Sequence, residues 1–367
     1  MKIRRLLGLA AALCCCLPVL PARGEEALPP PEISAKSAVV LTADTGLVLC
    51  ALDKDTPRPM ASTTKIMTAL LTLEEAARTG DRTVEITPEM TGAEGSSMGL
   101  NAGDRVSLSG LAAGMMMASG NDAAQAAALA IDGSLEQFAR RMNDRAAALG
   151  MKHTCFVTPS GLDAPGHEAS AYDMALLARE ALENEAFAQL AAAPAWPVEF
   201  LGPEGRTVRY RNHNKLLAQV EGCIGVKTGY TDLAGRCLVS AAERDGVRLI
   251  AVTLNDPDDW KDHAALLEYG FSQVEQAAIA GPEGLSVPLA DERQGQVPIQ
   301  PARGMTLTLP RGMRDRLTTR VLLPRFLLGP VRTGETVGAL LVLLDGEEVF
   351  RLPLRAADSL TARLPTG

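Results

Sequence analysis

A serine stands three residues ahead of a lysine where an amphipathic segment begins, in the stretch RPMASTTKIMTALLTL. Residues three apart lie on one face of a helix, so Ser62 and Lys65 can touch. A serine hydroxyl becomes a nucleophile when a base takes its proton, and lysine can be that base if apolar surroundings or a second cation lower its pKa. Arginine cannot replace it, because a guanidinium keeps its proton. The pair predicts nucleophilic catalysis.

Two further motifs carry complementary chemistry. The run MMMASGNDAA supplies Ser119 and Asn121 in an apolar region, where a hydroxyl can relay a proton and an amide can hold a substrate amide. The run GVKTGYT supplies Lys227, Thr228 and Gly229 at a strand end. A lysine beside a threonine hydroxyl can bind a carboxylate, and glycine lets a ligand backbone lie against the strand. The three motifs together are far more specific than a lone S-x-x-K.

Helices and short strands must position these motifs. The segment SAVVLTADTGLVLCALDK predicts two strands joined by a turn at residues 44–46, and the helix of the nucleophile is predicted over Ser62–Arg78. Residues 110–150 predict packed helices, with the methionine run in the core. YDMALLAREALENEAFAQL predicts one helix, opened by a capping box at Ser170. From residue 198 strands follow, and CIGVKTGY, GRCLVSAAE and RLIAVTLN suit consecutive antiparallel pairing.

The N-terminus predicts export. Basic residues precede an apolar run, Leu6–Leu20, which is too short for a comfortable membrane span and ends in small residues, with cleavage expected near Ala22. The protein is therefore expected outside the cytoplasm, in the cell envelope or secreted. After residue 273 the pattern changes to short strands with many Pro and Gly and an Asp345–Gly346 hairpin. The predicted parts are a signal peptide (1–23), a linker (24–34), a catalytic domain (35–272) and a C-terminal all-β domain (273–367).

Composition excludes some partners and leaves others open. The net charge of −8 and the pI near 5.2 argue against a nucleic-acid partner. Seven arginines and one acid lie in residues 303–332, a stretch that could face an anionic membrane or wall polymer, although a solvated strand face is favoured. No metal site is expected, because the histidines have no ligand spacing: His153, His167, His213 and His263. Buried free thiols are favoured over disulfides for the cysteines outside the signal: Cys50, Cys155, Cys223 and Cys237.

The motif order S-x-x-K, S-x-N, K-T-G resembles the penicillin-binding proteins and serine β-lactamases. The wider stretches SSMGLNAGDRVSLSGLAAGMMMASGNDAA, RNHNKLL and GVKTGYTDLAGRCLVSAAERDG resemble the D-alanyl-D-alanine carboxypeptidases of serine peptidase family S11. The resemblance spans about residues 35–272. It implies an α+β fold: a penicillin-binding-protein/β-lactamase-like catalytic domain, with an antiparallel sheet packed with helices, and a small C-terminal all-β domain.

The resemblance also implies catalytic roles. Ser62 would be acylated by the penultimate D-Ala of a peptidoglycan stem pentapeptide, and the terminal D-Ala would leave. Lys65 would be the base, Ser119 would relay the proton, and the backbone N–H groups of Ser62 and Tyr230 would form the oxyanion hole. Water would release the acyl-enzyme, and β-lactam antibiotics would trap it. No cofactor is implied.

Substrate binding is implied for the remaining motif residues. Asn121 would hold the substrate, while Lys227, Thr228 and Gly229 would bind its terminal carboxylate. Two features depart from the family pattern: Met60 stands where many members have proline, and the C-terminal amphipathic helix that anchors many members is not apparent. Contact with a membrane surface is therefore compatible with the sequence but not indicated by it.

Three alternatives remain. A β-lactamase shares the motifs, but no E-x-x-L-N segment follows Ser119 and the extra β domain is foreign to that class. A non-catalytic wall-binding protein would not need to keep a nucleophile and its base. Transpeptidase activity, with an amine in place of water, stays open. Structural roles are favoured for His213 in its Asn-rich turn and for the loop carboxylates Asp163 and Glu168.

Overall fold

The computed structural model describes residues 29–202, 204–290, 295–300 and 304–359. A five-stranded antiparallel sheet, in the order β2-β1-β9-β8-β7, forms the centre of its first part. The strands of this part are β1 (Ser37–Thr42), β2 (Val48–Leu52), β3 (Thr83–Glu85), β4 (Arg105–Ser107), β5 (Ala195–Phe200), β6 (Arg206–Arg211), β7 (Cys223–Thr231), β8 (Gly235–Arg244) and β9 (Val247–Leu254). The helices are α1 (Lys65–Thr79), α2 (Leu108–Met117), α3 (Asn121–Asp132), α4 (Leu135–Ala148), α5 (Ala171–Glu183), α6 (Glu185–Ala192), α7 (Leu216–Gln219) and α8 (Asp259–Ser272).

Helices cover both faces of the central sheet. Side chains alternate between the faces of a strand, so Val39 and Leu41 of β1 join the core formed with α1 and α5, whereas Val40 faces α8 together with Leu249 of β9. The predicted β1–β2 hairpin and the three consecutive antiparallel strands β7–β9 are confirmed. The sheet thus gives the K-T-G motif a fixed edge, because β7 is an outer strand.

The helix of the nucleophile lies in the middle of the helical layer. Every residue from Lys65 to Leu73 is buried, and the methionine run of α2 packs in the same core, as predicted. The chain enters α1 through a 3₁₀ turn, Ala61–Thr64, so the α-helix begins at the lysine rather than at Ser62. Gly80 ends α1 in the left-handed conformation with φ 82°. The burial of Lys65 is the unusual feature, because lysine is almost never fully buried unless it is paired.

One predicted helix was wrong. The segment after Ser170 forms two helices, α5 and α6, because Asn184 adopts an extended conformation with ψ 112° and ends α5. Its side-chain oxygen then accepts a hydrogen bond from Phe187 N at 3.1 Å and caps α6. The Ser170 cap is confirmed, since its hydroxyl accepts from Asp173 N at 3.1 Å. The strand pattern predicted from residue 198 begins at Ala195.

The remaining strands form a small all-β unit with the predicted Asp345–Gly346 hairpin. Its strands are β10 (Val274–Ile279), β11 (Ser286–Pro288), β12 (Gln296–Pro298), β13 (Met305–Pro310), β14 (Leu317–Leu322), β15 (Thr336–Leu344) and β16 (Glu347–Arg355). The turn between β1 and β2 holds this unit: Asp44 Oδ2 accepts from Thr308 N at 2.6 Å, and Thr45 Oγ1 donates to Thr308 O at 2.8 Å.

The described cysteines are free thiols, as predicted, but the predicted burial holds only for Cys237, because Cys50 and Cys223 are half-buried and Cys155 is exposed. The register of β7 and β8 places Cys223 opposite Ala242 and Cys237 opposite Gly229, so these two thiols do not face each other. The predicted signal lies outside the described residues. Among the residues that the structure does describe, no helix combines the length and the apolar character that a membrane crossing requires.

A buried histidine predicts a specific acid response of the fold. His263 of α8 lies between Ser240 Oγ at 2.6 Å and Thr253 Oγ1 at 2.9 Å, and burial lowers its pKa to about 3. Between about pH 6.5 and pH 3, His263 is therefore protonated in the unfolded chain and neutral in the folded chain. The free energy of unfolding consequently falls as pH drops below about 6.5. In urea titrations, His263→Gln should flatten this pH dependence by about 1.4 kcal/mol per pH unit between pH 6 and 4. Equal slopes in both proteins would contradict the assignment.

Candidate active site

The nucleophile candidate sits in a turn whose backbone is strained and tightly bonded. Ala61 has a positive φ of 48°, which is rare for a residue other than glycine. Thr63 Oγ1 donates to Met60 O at 2.6 Å, and Thr64 Oγ1 donates to Ala61 O at 2.8 Å. Ser62, which lies between Ala61 and Thr63, is only half-buried, so its hydroxyl is accessible. The turn holds one reachable hydroxyl on a rigid support.

The Lys65 amine has three oxygen neighbours. Its Nζ lies 2.8 Å from Ser62 Oγ, 2.6 Å from Asn121 Oδ1 and 2.5 Å from the Ser160 carbonyl oxygen. Amide and carbonyl oxygens can only accept hydrogen bonds. A neutral amine has two N–H donors and therefore donates one to Asn121 Oδ1 and the other to the Ser160 carbonyl oxygen. Its lone pair then faces the one neighbour with a proton to give, the Ser62 hydroxyl.

The surroundings favour the neutral amine. Lys65 is 0% exposed. Burial, and then the positive charge of Lys227, hold the pKa of Lys65 well below its ordinary value, while Asp122 opposes the shift. Desolvation and a second cation are the two effects that make a lysine a base at neutral pH. The expected base is thus placed and tuned by parts of the chain far from Ser62.

Ser119 and Lys227 form the second half of the site. Ser119 lies between α2 and α3 with φ 55°, a further strained residue. Lys227 Nζ lies 3.1 Å from Ser119 Oγ and 2.8 Å from Thr228 O. Burial lowers the pKa of Lys227 to about 7. The Lys227 amine therefore lies next to the Ser119 hydroxyl and, when protonated, places a positive charge beside it.

Asn121 has a different arrangement from the one expected of a substrate ligand. Besides accepting from Lys65, its side chain donates from Nδ2 to Glu94 O at 2.5 Å, so both ends of the amide are engaged. The next residue, Asp122, was not anticipated from the sequence. Its carboxylate accepts from the backbone N–H groups of Met98, Gly99 and Leu100 and from Ser97 Oγ. Asp122 therefore holds the loop that borders Asn121.

His167 is a second residue that the sequence analysis missed. Its Nδ1 accepts from Val157 N at 2.9 Å, so the ring proton lies on Nε2, 2.8 Å from Thr64 Oγ1. Thr64 in turn donates to Ala61 O, which completes a chain of hydrogen bonds to the nucleophile turn. Burial, and then the charge of Lys65, lower the pKa of His167 to about 4, which keeps the ring neutral. In the sequence His167 lies in a loop and belongs to no motif or periodic pattern, so nothing there pointed to this role.

The strand carrying K-T-G runs beside the nucleophile turn. A Cβ added to Gly229 would lie 2.9 Å from Ser62 N and 3.0 Å from Thr63 N, so glycine permits this approach. Because β7 is an edge strand, alternate backbone groups point away from β8. Thr228 is half-buried at this edge, and the side chain of Tyr230 is 62% exposed. The arrangement leaves room for an extended ligand along the strand.

The other polar candidates lie around the site without joining it. Asn212, beside His213, donates from its side chain to Ala193 O at 3.1 Å, which supports the structural turn that was predicted there. Asp163 accepts from Thr231 Oγ1 at 2.8 Å and ties its loop to the end of β7. Glu168 pairs its backbone with Cys155. None of these contacts reaches the Ser62 hydroxyl.

A close backbone approach predicts a large effect for one glycine. A Cβ on Gly161 would lie 1.9 Å from Ala61 O, whereas a Cβ on Gly166 of the same loop meets nothing within 4 Å. Both glycines have positive φ, 84° and 77°, so alanine strains both alike. Gly166→Ala should cost about 1 kcal/mol of unfolding free energy and Gly161→Ala a further ~1–3 kcal/mol. Equal losses in urea unfolding would contradict the contact between this loop and the nucleophile turn.

Comparisons with known proteins agree with this geometry. The family described as D-alanyl-D-alanine carboxypeptidase, peptidase S11, matches residues 24–258, and the penicillin-binding protein 5 C-terminal domain matches residues 279–362. The chain is 31% identical to D-alanyl-D-alanine carboxypeptidase DacF of Bacillus subtilis, covering 89% of this chain and 86% of the relative. It is 32% identical to DacC of Escherichia coli K12, covering 90% and 85%.

Solved structures share the fold. Penicillin-binding protein 5 from Haemophilus influenzae superposes with a TM-score of 0.67 at 28% identity, over 91% of this chain and 100% of that one. A Streptomyces K15 DD-transpeptidase variant superposes with a TM-score of 0.63 at 30% identity, over 66% and 99%. The α+β fold class is confirmed. The chain belongs to the S11 family and is a serine-type D-alanyl-D-alanine carboxypeptidase.

Proposed function

We propose that Ser62 is the nucleophile of this carboxypeptidase and Lys65 its general base. One observation carries the proposal: two of the three neighbours of Lys65 Nζ can only accept, so the lone pair of the neutral amine faces Ser62 Oγ at 2.8 Å. That distance lies within the range for direct proton transfer to a base.

Acylation in this proposal assigns one step to each motif residue. Ser62 Oγ attacks the carbonyl carbon of the penultimate D-Ala while its proton passes to Lys65. The backbone N–H groups of Ser62 and Tyr230 stabilise the oxyanion, a kind of contact worth ~10²–10³ in rate. On collapse, the C–N bond breaks and a proton reaches the leaving D-Ala amine, with Ser119 as the relay. Water hydrolyses the ester and restores Ser62.

The terminal carboxylate of the substrate pairs with Lys227 and Thr228. Lys227 already engages Ser119 and the Thr228 carbonyl. A third N–H of its ammonium is available to a substrate carboxylate by donor count. Gly229 lets the peptide lie along β7. Asn121 has its Oδ1 on Lys65, so its Nδ2 reaches a substrate amide only if the Glu94 carbonyl gives way.

The natural substrate we infer is the peptidoglycan stem pentapeptide, so the enzyme acts in cell-wall maturation outside the cytoplasm. An amino-terminal apolar run preceded by basic residues supports export. We place the catalytic domain at residues 35–272 and the C-terminal β domain at 273–367, since α8 ends at Ser272 and β10 follows. A second candidate is transpeptidation, supported by the likeness to the K15 DD-transpeptidase over 99% of that chain.

Removing the nucleophile tests the proposal directly. Ser62→Ala should lower D-alanine release from a peptide ending in D-Ala-D-Ala by about 10³-fold or more. The variant should also lose the covalent penicillin adduct in mass spectra. Ser109→Ala, at the start of α2, is the matched control and should keep both. An adduct that persists in Ser62→Ala would assign the nucleophile elsewhere.

The lowered pKa of Lys227 predicts the alkaline limb of the pH profile. With a pKa of about 7, the amine loses its charge as pH rises and no longer pairs with a carboxylate. The kcat/KM for D-alanine release should therefore fall above about pH 7, approaching tenfold per pH unit. Burial, and then the Lys227 charge, lower the pKa of His213, so this neighbour stays neutral in that range.

The matched variant for this profile is Lys227→Arg. Its guanidinium stays charged, so the alkaline limb should move to much higher pH even if the maximal rate is lower. The shape of the curve is the readout. If wild type and variant fall over the same pH range, Lys227 is not the carboxylate-binding cation.

A further inference from the structure

The C-terminal β unit holds two large apolar side chains outward on a pinned loop. After β14, Leu327 is drawn inward: its N–H donates to Pro288 O at 2.8 Å, and its carbonyl accepts from Ala290 N at 2.8 Å. Its side chain packs against the core of this unit. Side chains alternate along an extended segment, so Phe326 and Leu328 are exposed, at 56% and 74%. Pairing of the backbone, rather than flexibility, sets this exposure.

The strand that leads into this loop also carries exposed apolar residues. β14 is an edge strand of its three-stranded sheet, and at its end Val321 and Leu322, which point to opposite faces, are 38% and 41% exposed. Four of the large apolar residues exposed in the described chain therefore fall within residues 321–328. Scattered exposed apolar residues need no explanation, but a cluster of this kind marks an interaction surface.

Positive charge surrounds the same segment. Arg325 lies within it, and Arg314, Arg320 and Arg332 flank it, all exposed. In the described ranges none of these four guanidinium groups forms an ion pair, whereas Arg316 pairs with Asp345. The chain as a whole carries a net charge of −8. The local excess of positive charge contrasts with the negative net charge of the chain and favours an anionic partner.

Three occupants can be compared on this surface. A second copy of the chain pairing along β14 would bring the arginines of both copies together, which is unfavourable. A soluble polyanion would engage the arginines but gain nothing from Phe326 and Leu328. An anionic bilayer uses both features, because aromatic and aliphatic side chains enter the interface while guanidinium groups contact phosphates.

We propose that residues 320–328 form a docking surface for an anionic lipid bilayer. Phe326 and Leu328 enter the headgroup region, and Arg320 and Arg325 contact lipid phosphates. This attachment requires no membrane-crossing helix, and it is independent of the chemistry at Ser62. Each arginine removed should weaken partitioning about fivefold, and raised salt should weaken it further.

Vesicle co-sedimentation tests the proposal with the chain from residue 24, which lacks the apolar run Leu6–Leu20. Vesicles of phosphatidylcholine with phosphatidylglycerol should bind it, and pure phosphatidylcholine should bind it at least tenfold more weakly. The doubly substituted Phe326→Ser/Leu328→Ser protein and the doubly substituted Arg320→Gln/Arg325→Gln protein should each lose at least tenfold in binding. The matched controls are Leu201→Ser, which is 54% exposed, and Arg209→Gln/Arg211→Gln; both should bind as wild type. Penicillin acylation reports that each variant is folded.

A second measurement locates the contact. Phe326→Trp adds a reporter whose emission should shift to shorter wavelength on phosphatidylglycerol vesicles and be quenched by brominated lipid. An unchanged spectrum in bound protein would overturn the proposal. So would binding that the controls lose equally, vesicle binding that survives Phe326→Ser/Leu328→Ser, or a concentration-dependent dimer that this substitution abolishes.

Discussion

The site depends on a lysine amine that is buried and has no carboxylate partner among the described residues. A charged ammonium at 0% exposure is costly, and the three oxygens around Lys65 Nζ offset only part of that cost. The protein resolves the conflict by neutralising the amine, which is the state that catalysis needs. Burial of the amine thus both disfavours its charged form and makes it a base. Loss of either fixed acceptor, Asn121 Oδ1 or Ser160 O, would leave the direction of the lone pair undefined.

Close backbone contacts bring the oxygens and hydroxyls to that amine. Gly161 lets the loop that carries the Ser160 carbonyl meet Ala61, and Gly229 lets β7 meet Ser62. Ala61 and Ser119 accept positive φ angles at the same place. Strain of this kind persists where surrounding contacts over-determine the backbone. Thr64 Oγ1, which donates to Ala61 O, and Lys227 Nζ, which lies 3.1 Å from Ser119 Oγ, are among those contacts.

The two parts of the chain differ in charge and meet at more than one place, including Gln276 Nε2, which donates to Asp245 O at 2.9 Å, and the β1–β2 turn. Residues from 274 onward hold eleven arginines against ten acids, so the first part carries a net charge of −9. Asp44 and Thr45, in the β1–β2 turn, bond both backbone groups of Thr308 in β13. Arg179 donates to Asp44 O at 2.5 Å and supports the turn from α5. The orientation of the basic surface relative to the catalytic sheet therefore depends on a few polar contacts.

The sequence by itself determined what is local. The spacing of Ser62 and Lys65, the hairpins and the order of the three motifs follow from helix and strand geometry, and the resemblance to a known family assigned them roles. It could not place a helix end at Asn184, where a side-chain cap outweighed an uninterrupted apolar pattern. Nor did it reveal Asp122 or His167 as supports of the site. Lys65 meets Asn121 and Ser160 across 56 and 95 residues, and His167 meets Thr64 across 103. Only tertiary packing decided these contacts, because no local periodicity relates residues so far apart in the chain.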